Sequence, residues 1–154
     1  MGKFYSTKTY GNDRGLSCAF RQWRAPSHCS LIHGYSIGIK LTFGCEKLDE
    51  RNWVQDFGGL KEFKNWAEDL FDHTFLVAAD DPELETFKAL PESVCNLRIV
   101  PDVGCERFAE LCYFKMADIL LMAEKNKTSL NPTVYVKSVE VFEHGANSAI
   151  YEAS

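Results

Sequence analysis

Two of the four histidines and one of the six cysteines fall within nine residues, His28-Cys29-Ser30-Leu31-Ile32-His33-Gly34-Tyr35-Ser36. A thiol and an imidazole four positions apart can form a nucleophile–base pair or part of a metal site. On spacing alone, the plainer reading is a core thiol beside a surface imidazole, since a free Cys is often simply core. Asp72-His73 places a carboxylate where it can orient an imidazole for proton transfer. Glu143 ends an apolar run just before His144-Gly145, so it either meets water or accepts paired N–H donors from a ligand. Glu106 lies one residue into a helical pattern, where an acid ordinarily complements the helix dipole.

Hydrophobic periodicity indicates the elements that must position these groups. Residues 4–10 alternate weakly, Asn12-Asp13-Arg14-Gly15 reads as a turn or bulge, and Leu16, Cys18 and Phe20 share one strand face. Whether residues 4–10 and 16–23 make one bulged strand or two stays open at this point. Residues 33–43 alternate as a second strand. Leu60, Phe63, Ala67, Leu70 and Phe71 give a helix over 60–71 one apolar face, with Asp72-His73 just past its end. Asp80-Asp81-Pro82-Glu83 signals the start of a short helix, and residues 96–100 a short strand. A longer helix covers 105–125. The valine-rich run 133–142 is a strand whose alternation slips near Ser138, and 148–152 is the last strand. The order strand, strand, helices, strand, strand predicts an α+β domain: a four-stranded antiparallel sheet of two hairpins with helices on one face.

Bulk properties narrow the function. At 154 residues, one domain spanning 1–154 is the simplest organisation. A formal charge of −5 argues against a nucleic-acid partner, because no excess of Lys and Arg is available to neutralise phosphates. Arg14, Arg21, Arg24 and Lys40 still allow a local basic pocket for a small phosphate ester. The amino terminus lacks the layout of a signal peptide, and no apolar run nears the roughly 20 residues of a membrane span. The cysteines sit mostly in apolar periodic segments. The expectation is a cytoplasmic protein with reduced thiols and no membrane partner. No CxxC or HExxH zinc signature occurs.

The order of the polar groups resembles the 6-pyruvoyltetrahydropterin synthase and 6-carboxytetrahydropterin synthase family. Its members carry Phe-x-x-x-His, then Cys-x-x-x-His-Gly-His, Asp-Phe, Leu-Asp-His, Pro-Thr-x-Glu and a late Glu. The counterparts here are Leu16-Ser17-Cys18-Ala19-Phe20, Cys29-Ser30-Leu31-Ile32-His33-Gly34-Tyr35 and Asp56-Phe57-Gly58-Gly59-Leu60-Lys61. They continue with Phe71-Asp72-His73, Asp102-Val103-Gly104-Cys105-Glu106 and Phe142-Glu143-His144. Residues 74–101 look like an insertion relative to shorter members. The resemblance implies a tunnelling fold whose sheets join across subunits into an oligomeric barrel, most simply a hexamer, with a pterin site between subunits. It implies a lyase acting on 7,8-dihydroneopterin triphosphate, with a 6-carboxy or 6-pyruvoyl tetrahydropterin product, and it points weakly to the deazaguanine (queuosine) route. Cys29 takes the place of the general base, Asp72 and His73 support it, Glu143 anchors the pterin ring, and Glu106 falls in the motif that helps bind it.

The same resemblance implies zinc held by three histidines. Of these positions only His33 keeps a histidine; the other two are Phe20 and Tyr35. A catalytic zinc takes about three protein ligands, so either zinc is absent or other donors rebuild the site, with Cys18, His28 and Cys45 near in sequence. Without zinc, Arg21, Arg24 or Lys40 would have to serve as electrophile. The altered set allows two further readings. One is a protein that binds a pterin or purine without converting it. The other is a zinc-independent aldolase or epimerase acting on dihydroneopterin.

Overall fold

The computed structural model describes residues 2–154. Its organising element is β3 (His33–Cys45), a 13-residue strand long enough to carry two partners end to end along one side. β1 (Phe4–Tyr10) pairs antiparallel with its second half, from Phe4↔Cys45 to Tyr10↔Ile39. β2 (Leu16–Phe20) pairs antiparallel with its first half, from Leu16↔Ile37 to Phe20↔His33. Residues 4–20 are thus one strand path broken by a 3-10 turn at Asn12–Arg14, and Gly15 closes that turn at φ 78°. Positive φ suits glycine because it has no Cβ to clash.

The other side of β3 pairs with β6 (Tyr135–His144), and β6 pairs with β7 (Asn147–Glu152). The register shifts between Thr42 and Phe43, whose partners are Ser138 and Val136. This bulge explains the slip in alternation near Ser138, since one extra residue reverses the facing of the side chains beyond it.

Between the hairpins lie α1 (Lys61–Phe71), β4 (Thr74–Ala78), α2 (Leu84–Lys88), β5 (Leu97–Val100) and α3 (Cys105–Lys125). β4 runs parallel to β2, with Cys18↔Thr74 and Ala19↔Phe75, and β5 runs parallel to β4. The sheet has seven strands in the order β5-β4-β2-β3-β6-β7, with β1 beside β3. This corrects the expected four-stranded antiparallel sheet. Residues 74–101 extend it by two parallel strands at one edge. Every residue of β4 is buried, so its sequence Thr-Phe-Leu-Val-Ala shows no alternation.

The core lies between the inner sheet face and the helices. Ile37, Ile39, Leu41 and Phe43 of β3 are fully buried, as are Val139 and Val141 of β6. Phe63 and Phe71 of α1 and Phe108, Cys112 and Met116 of α3 meet them. Fully burying one such side chain stabilises by about 1.5–3 kcal/mol, so this layer fixes the sheet against which the functional residues are set.

Candidate functional site

The first half of β3 and the end of β2 form one mouth of the sheet. The ladder pair Phe20↔His33 is its last rung, and Cys18↔Tyr35 lies two residues further in. Gly34 is required here, because a Cβ would stand 2.6 Å from the Cys18 carbonyl oxygen. Phe20, His33 and Tyr35 make a triangle of rings with centroids 5.5, 5.9 and 5.4 Å apart. Three imidazoles on one tetrahedral zinc, with Zn–N near 2.0–2.1 Å, would have ring centres about 5 Å apart. The three rings are therefore spaced much as three imidazoles on one metal would be.

The side chains at those positions do not fit the metal. Phe20 has no donor atom, is 1% exposed, and packs edge-on against Phe108 with centroids 5.1 Å apart. His33 directs Nδ1 to the Leu31 carbonyl at 2.7 Å. A carbonyl only accepts, so the proton sits on Nδ1 and Nε2 is left with the lone pair. A phenol at Tyr35 is a weak zinc ligand beside imidazole or thiolate, and burial, with the charges of Glu143, Cys29 and Cys105, raises its pKa above the usual tyrosine value. Among the described residues no group of three His, Cys, Asp or Glu is placed to hold a metal ion, so the alternative donors Cys18, His28 and Cys45 do not assemble one.

Cys29 reaches this mouth from a 3-10 turn, His28–Ser30. The Ser27 hydroxyl caps the turn by accepting from the Cys29 N–H, and the Cys29 carbonyl accepts from the Gln22 N–H at 2.9 Å. The thiol is half-buried, whereas Cys18, Cys45, Cys105 and Cys112 are buried. It is close enough to Tyr35 for its charge to disfavour the phenolate.

Glu143, near the end of β6, is the carboxylate of the same mouth. Its partner is Cys105, the first residue of α3, a contact the sequence did not single out because a Cys opening a helix reads as core. Burial pushes the Cys105 thiol up to about 12, and the Glu143 charge and a hydrogen bond to it add to the shift. The thiol therefore stays protonated at neutral pH beside the carboxylate. The one hint in the sequence was its place beside Glu106. Glu106 itself is exposed, and its carboxylate reaches the neighbourhood of Gly104. Gly104 adopts φ 118°, and a Cβ there would meet the Gln22 amide at 2.5 Å, so glycine lets α3 start against the Cys29 loop.

Asp72 and His73 do form a pair, with His73 Nδ1 2.6 Å from Asp72 Oδ1. The carboxylate fixes the proton on Nδ1 and leaves Nε2 to take another. The pair lies elsewhere on the chain, however. The His73 N–H donates to the Ser17 carbonyl at 2.6 Å, while Cys29 is tied to Gln22. Ser17 and Gln22 are five residues apart on a largely extended path, a span on the order of 15 Å. The His73 side chain is 84% exposed. Within one chain, then, the structure gathers Cys29, His33, Tyr35, Cys105 and Glu143, and leaves Asp72–His73 facing outward.

The basic residues divide as well. Arg21 is committed to Asp81, and Arg24 to Asp80 with Asp102 nearby, so neither is a free electrophile at the mouth. Lys40 lies seven residues along β3 from His33, opposite Thr9 and Glu140. Cavities of about 540 and 340 Å³ lie beside β1 and beside α3, the first lined by Phe4, Trp53 and Phe57 and the second by Gln55, Met116 and Asn131. Neither is lined by Cys29, Tyr35 or Glu143.

The structure is thus a helix-backed α+β sheet with a thiol, a phenol and a carboxylate gathered at the end of its longest strand. The family model described as 6-pyruvoyl tetrahydropterin synthase matches residues 12–154, and the chain belongs to that family. It is 25% identical over 138 residues to the 6-carboxy-5,6,7,8-tetrahydropterin synthase of Aquifex aeolicus, covering 90% of this chain and 84% of that one. A protein of the same name from Rickettsia bellii is 32% identical over 57 residues, covering 36% of this chain and 41% of that one. Among solved structures, an uncharacterized protein from Wolinella succinogenes, WS1659, aligns over 100% of both chains with a TM-score of 0.80 and 17% identity. The 6-pyruvoyl tetrahydropterin synthase of Plasmodium falciparum aligns over 98% of both with a TM-score of 0.65 and 13% identity. At such identities the structures speak for the fold. No helix among the described residues is long and apolar enough to cross a membrane.

Proposed function

We propose that this chain is a 6-carboxytetrahydropterin synthase-like lyase of 7,8-dihydroneopterin triphosphate, in which Cys29 is the general base and Glu143 the ring anchor. The observation that carries the reading is the grouping of Cys29, Tyr35, Cys105 and Glu143 at one mouth, each near enough to bias another's protonation. Glu143 offers a carboxylate to the two N–H donors of an aminopyrimidine edge, a paired, charge-assisted contact. Cys29 as thiolate takes a carbon-bound proton from the side chain, and the triphosphate departs as the electrons shift. A cysteine needs a proton acceptor nearby to work as a base at neutral pH. The Asp72–His73 pair is ordered for that task and serves the Cys29 of a neighbouring chain, so the working unit is a homo-oligomer, with the hexamer as the expected form. Names of the curated relatives favour the 6-carboxy product over the 6-pyruvoyl one.

Incubation with 7,8-dihydroneopterin triphosphate should release triphosphate and change the pterin absorbance. Cys29→Ala should lower kcat by about 10²-fold or more, the range for losing a general base, and Glu143→Ala should raise KM. Absence of turnover, with and without added zinc, would sink the reading. Phe20 and Tyr35 favour a second one, in which the pterin or a purine is bound at Glu143 and not converted. That reading predicts binding lost in Glu143→Ala with no product from any variant.

A further inference from the structure

We infer that the turn after β4 is a brace for the Cys29 loop, with Asp81 and Arg21 as positioning residues; the inference rests on Cys29 being the base proposed above. Residues 21–32, between β2 and β3, contain no regular element except the turn at His28–Ser30. Something outside the loop has to set its shape. Arg21 supplies the link. Its Nε and one terminal nitrogen donate to the two Asp81 carboxylate oxygens at 2.8 and 2.6 Å, and its other terminal nitrogen donates to the Ser30 carbonyl at 3.3 Å. A guanidinium is planar and rigid, so fixing two of its nitrogens on a carboxylate also fixes the direction of the third. Asp81 therefore dictates where the carbonyl next to Cys29 is held.

Asp81 is itself immobilised. Its side chain is 1% exposed, and Oδ1 also accepts from the Glu83 N–H at 2.8 Å, which ties the carboxylate to the turn leading into α2. The Arg21 guanidinium lies 5.6 Å from the centre of the Phe87 ring of α2, and Phe87 packs on Phe75 of β4 at 4.9 Å. A charge this buried stays ionised only when paired. The pair cannot drift without leaving a carboxylate stranded. Asp80 next door makes a similar link to Arg24 and Trp23, but Arg24 and Asp80 are 60% and 49% exposed. Exposed pairs of that kind contribute little, so Asp80 is the natural control.

The test compares Asp81→Asn, Arg21→Lys and Asp80→Asn in the full-length chain. Amide hydrogen exchange over residues 27–31 reports the loop directly and does not depend on the reaction. In Asp81→Asn and Arg21→Lys it should quicken by about tenfold or more. Their kcat should fall by about 10- to 100-fold with KM within about threefold, the signature of a misplaced catalytic group. Asp80→Asn should leave both quantities within about twofold. Unchanged exchange in Asp81→Asn overturns the brace. Faster exchange with unchanged kcat overturns its catalytic role, and so does a loss of thermal stability with no split between kcat and KM. A wild-type chain inert toward the pterin refutes the functional reading instead, and the brace is then decided by exchange alone.

Discussion

Phe20 and Tyr35 are where individual side chains say most about the chemistry. They occupy two corners of a ring triangle whose third corner is His33, with centroids 5.4–5.9 Å apart. The spacing suits a metal and the atoms do not. If the backbone alone carries the geometry, Phe20→His with Tyr35→His should create a zinc site holding about one ion per chain. The apo form of that variant should be less stable by a few kcal/mol, because the Phe20 ring fills a core position against Phe108. Zinc should raise its melting temperature, since an ion that binds only the folded state stabilises it. Failure to retain zinc on gel filtration, or a melting temperature indifferent to zinc, would show that the backbone positions do not converge. At this scale Cys29, His33, Asp72, His73 and Glu143 each read more plainly as core or surface groups, and only their order along the chain, through the resemblance it carries, marked them as candidates. The sequence was silent on Cys105. Only the ladder that sets β6 beside β3 and the close start of α3 at Gly104 bring that thiol to Glu143.

At the scale of elements, α1 and α3 were legible from the 3.6-residue period, and β3 and β7 from alternation. β4 was not, because a strand buried on both faces and flanked by parallel neighbours reads as a plain apolar run, which periodicity alone cannot assign. Asp80-Asp81-Pro82-Glu83 was legible as a turn into a helix, yet nothing in its spacing could reveal that Asp81 would pair with Arg21, 60 residues away. That pairing has a pH signature. The hydrogen bonds from Arg21, above all, hold the Asp81 carboxyl below the ordinary aspartate value despite its burial. A depressed folded pKa means that the unfolded chain takes up the proton first as pH falls. The stabilisation is therefore complete above about pH 4, the unfolded value, and is lost as the pH drops through the lower folded one. Denaturant unfolding of wild type and Asp81→Asn should show a stability gap at pH 7 that closes as the pH falls below about 4. A gap that stays constant across that range would mean the carboxylate charge is not what holds the turn.

The whole molecule raises the question of where the acid–base pair works. Asp72–His73 points outward from the Ser17 end of β2, and Cys29 sits at the other end, so the proposed mechanism would have the pair serve the thiol of a neighbouring chain. Three backbone edges are also left unpaired among the described residues, those of β1, β5 and β7, and those of β1 and β7 belong to the two hairpins. Open edges are templates for joining another strand. Ile150 on β7 and Phe4 and Tyr5 on β1 are large apolar side chains left exposed along them, at 61%, 48% and 49%. Under the proposed homo-oligomer, a β7 edge of one copy laid on the β1 edge of the next would be a heterologous contact that brings residues of different copies together. Mixed subunits test this directly. Cys29→Ala and His73→Ala homo-oligomers should each be nearly inactive. When the two are co-expressed or reassembled together, a site shared between chains can draw its intact cysteine from one variant and its intact histidine from the other. With random mixing at equal amounts, about a quarter of the sites are whole, and activity should return to roughly that fraction of wild type. If the histidine instead served the cysteine of its own chain, every chain in the mixture would still lack one of the two. The mixture would then be as inactive as its parts, and the outward position of His73 would have to be explained by something other than a partner's thiol.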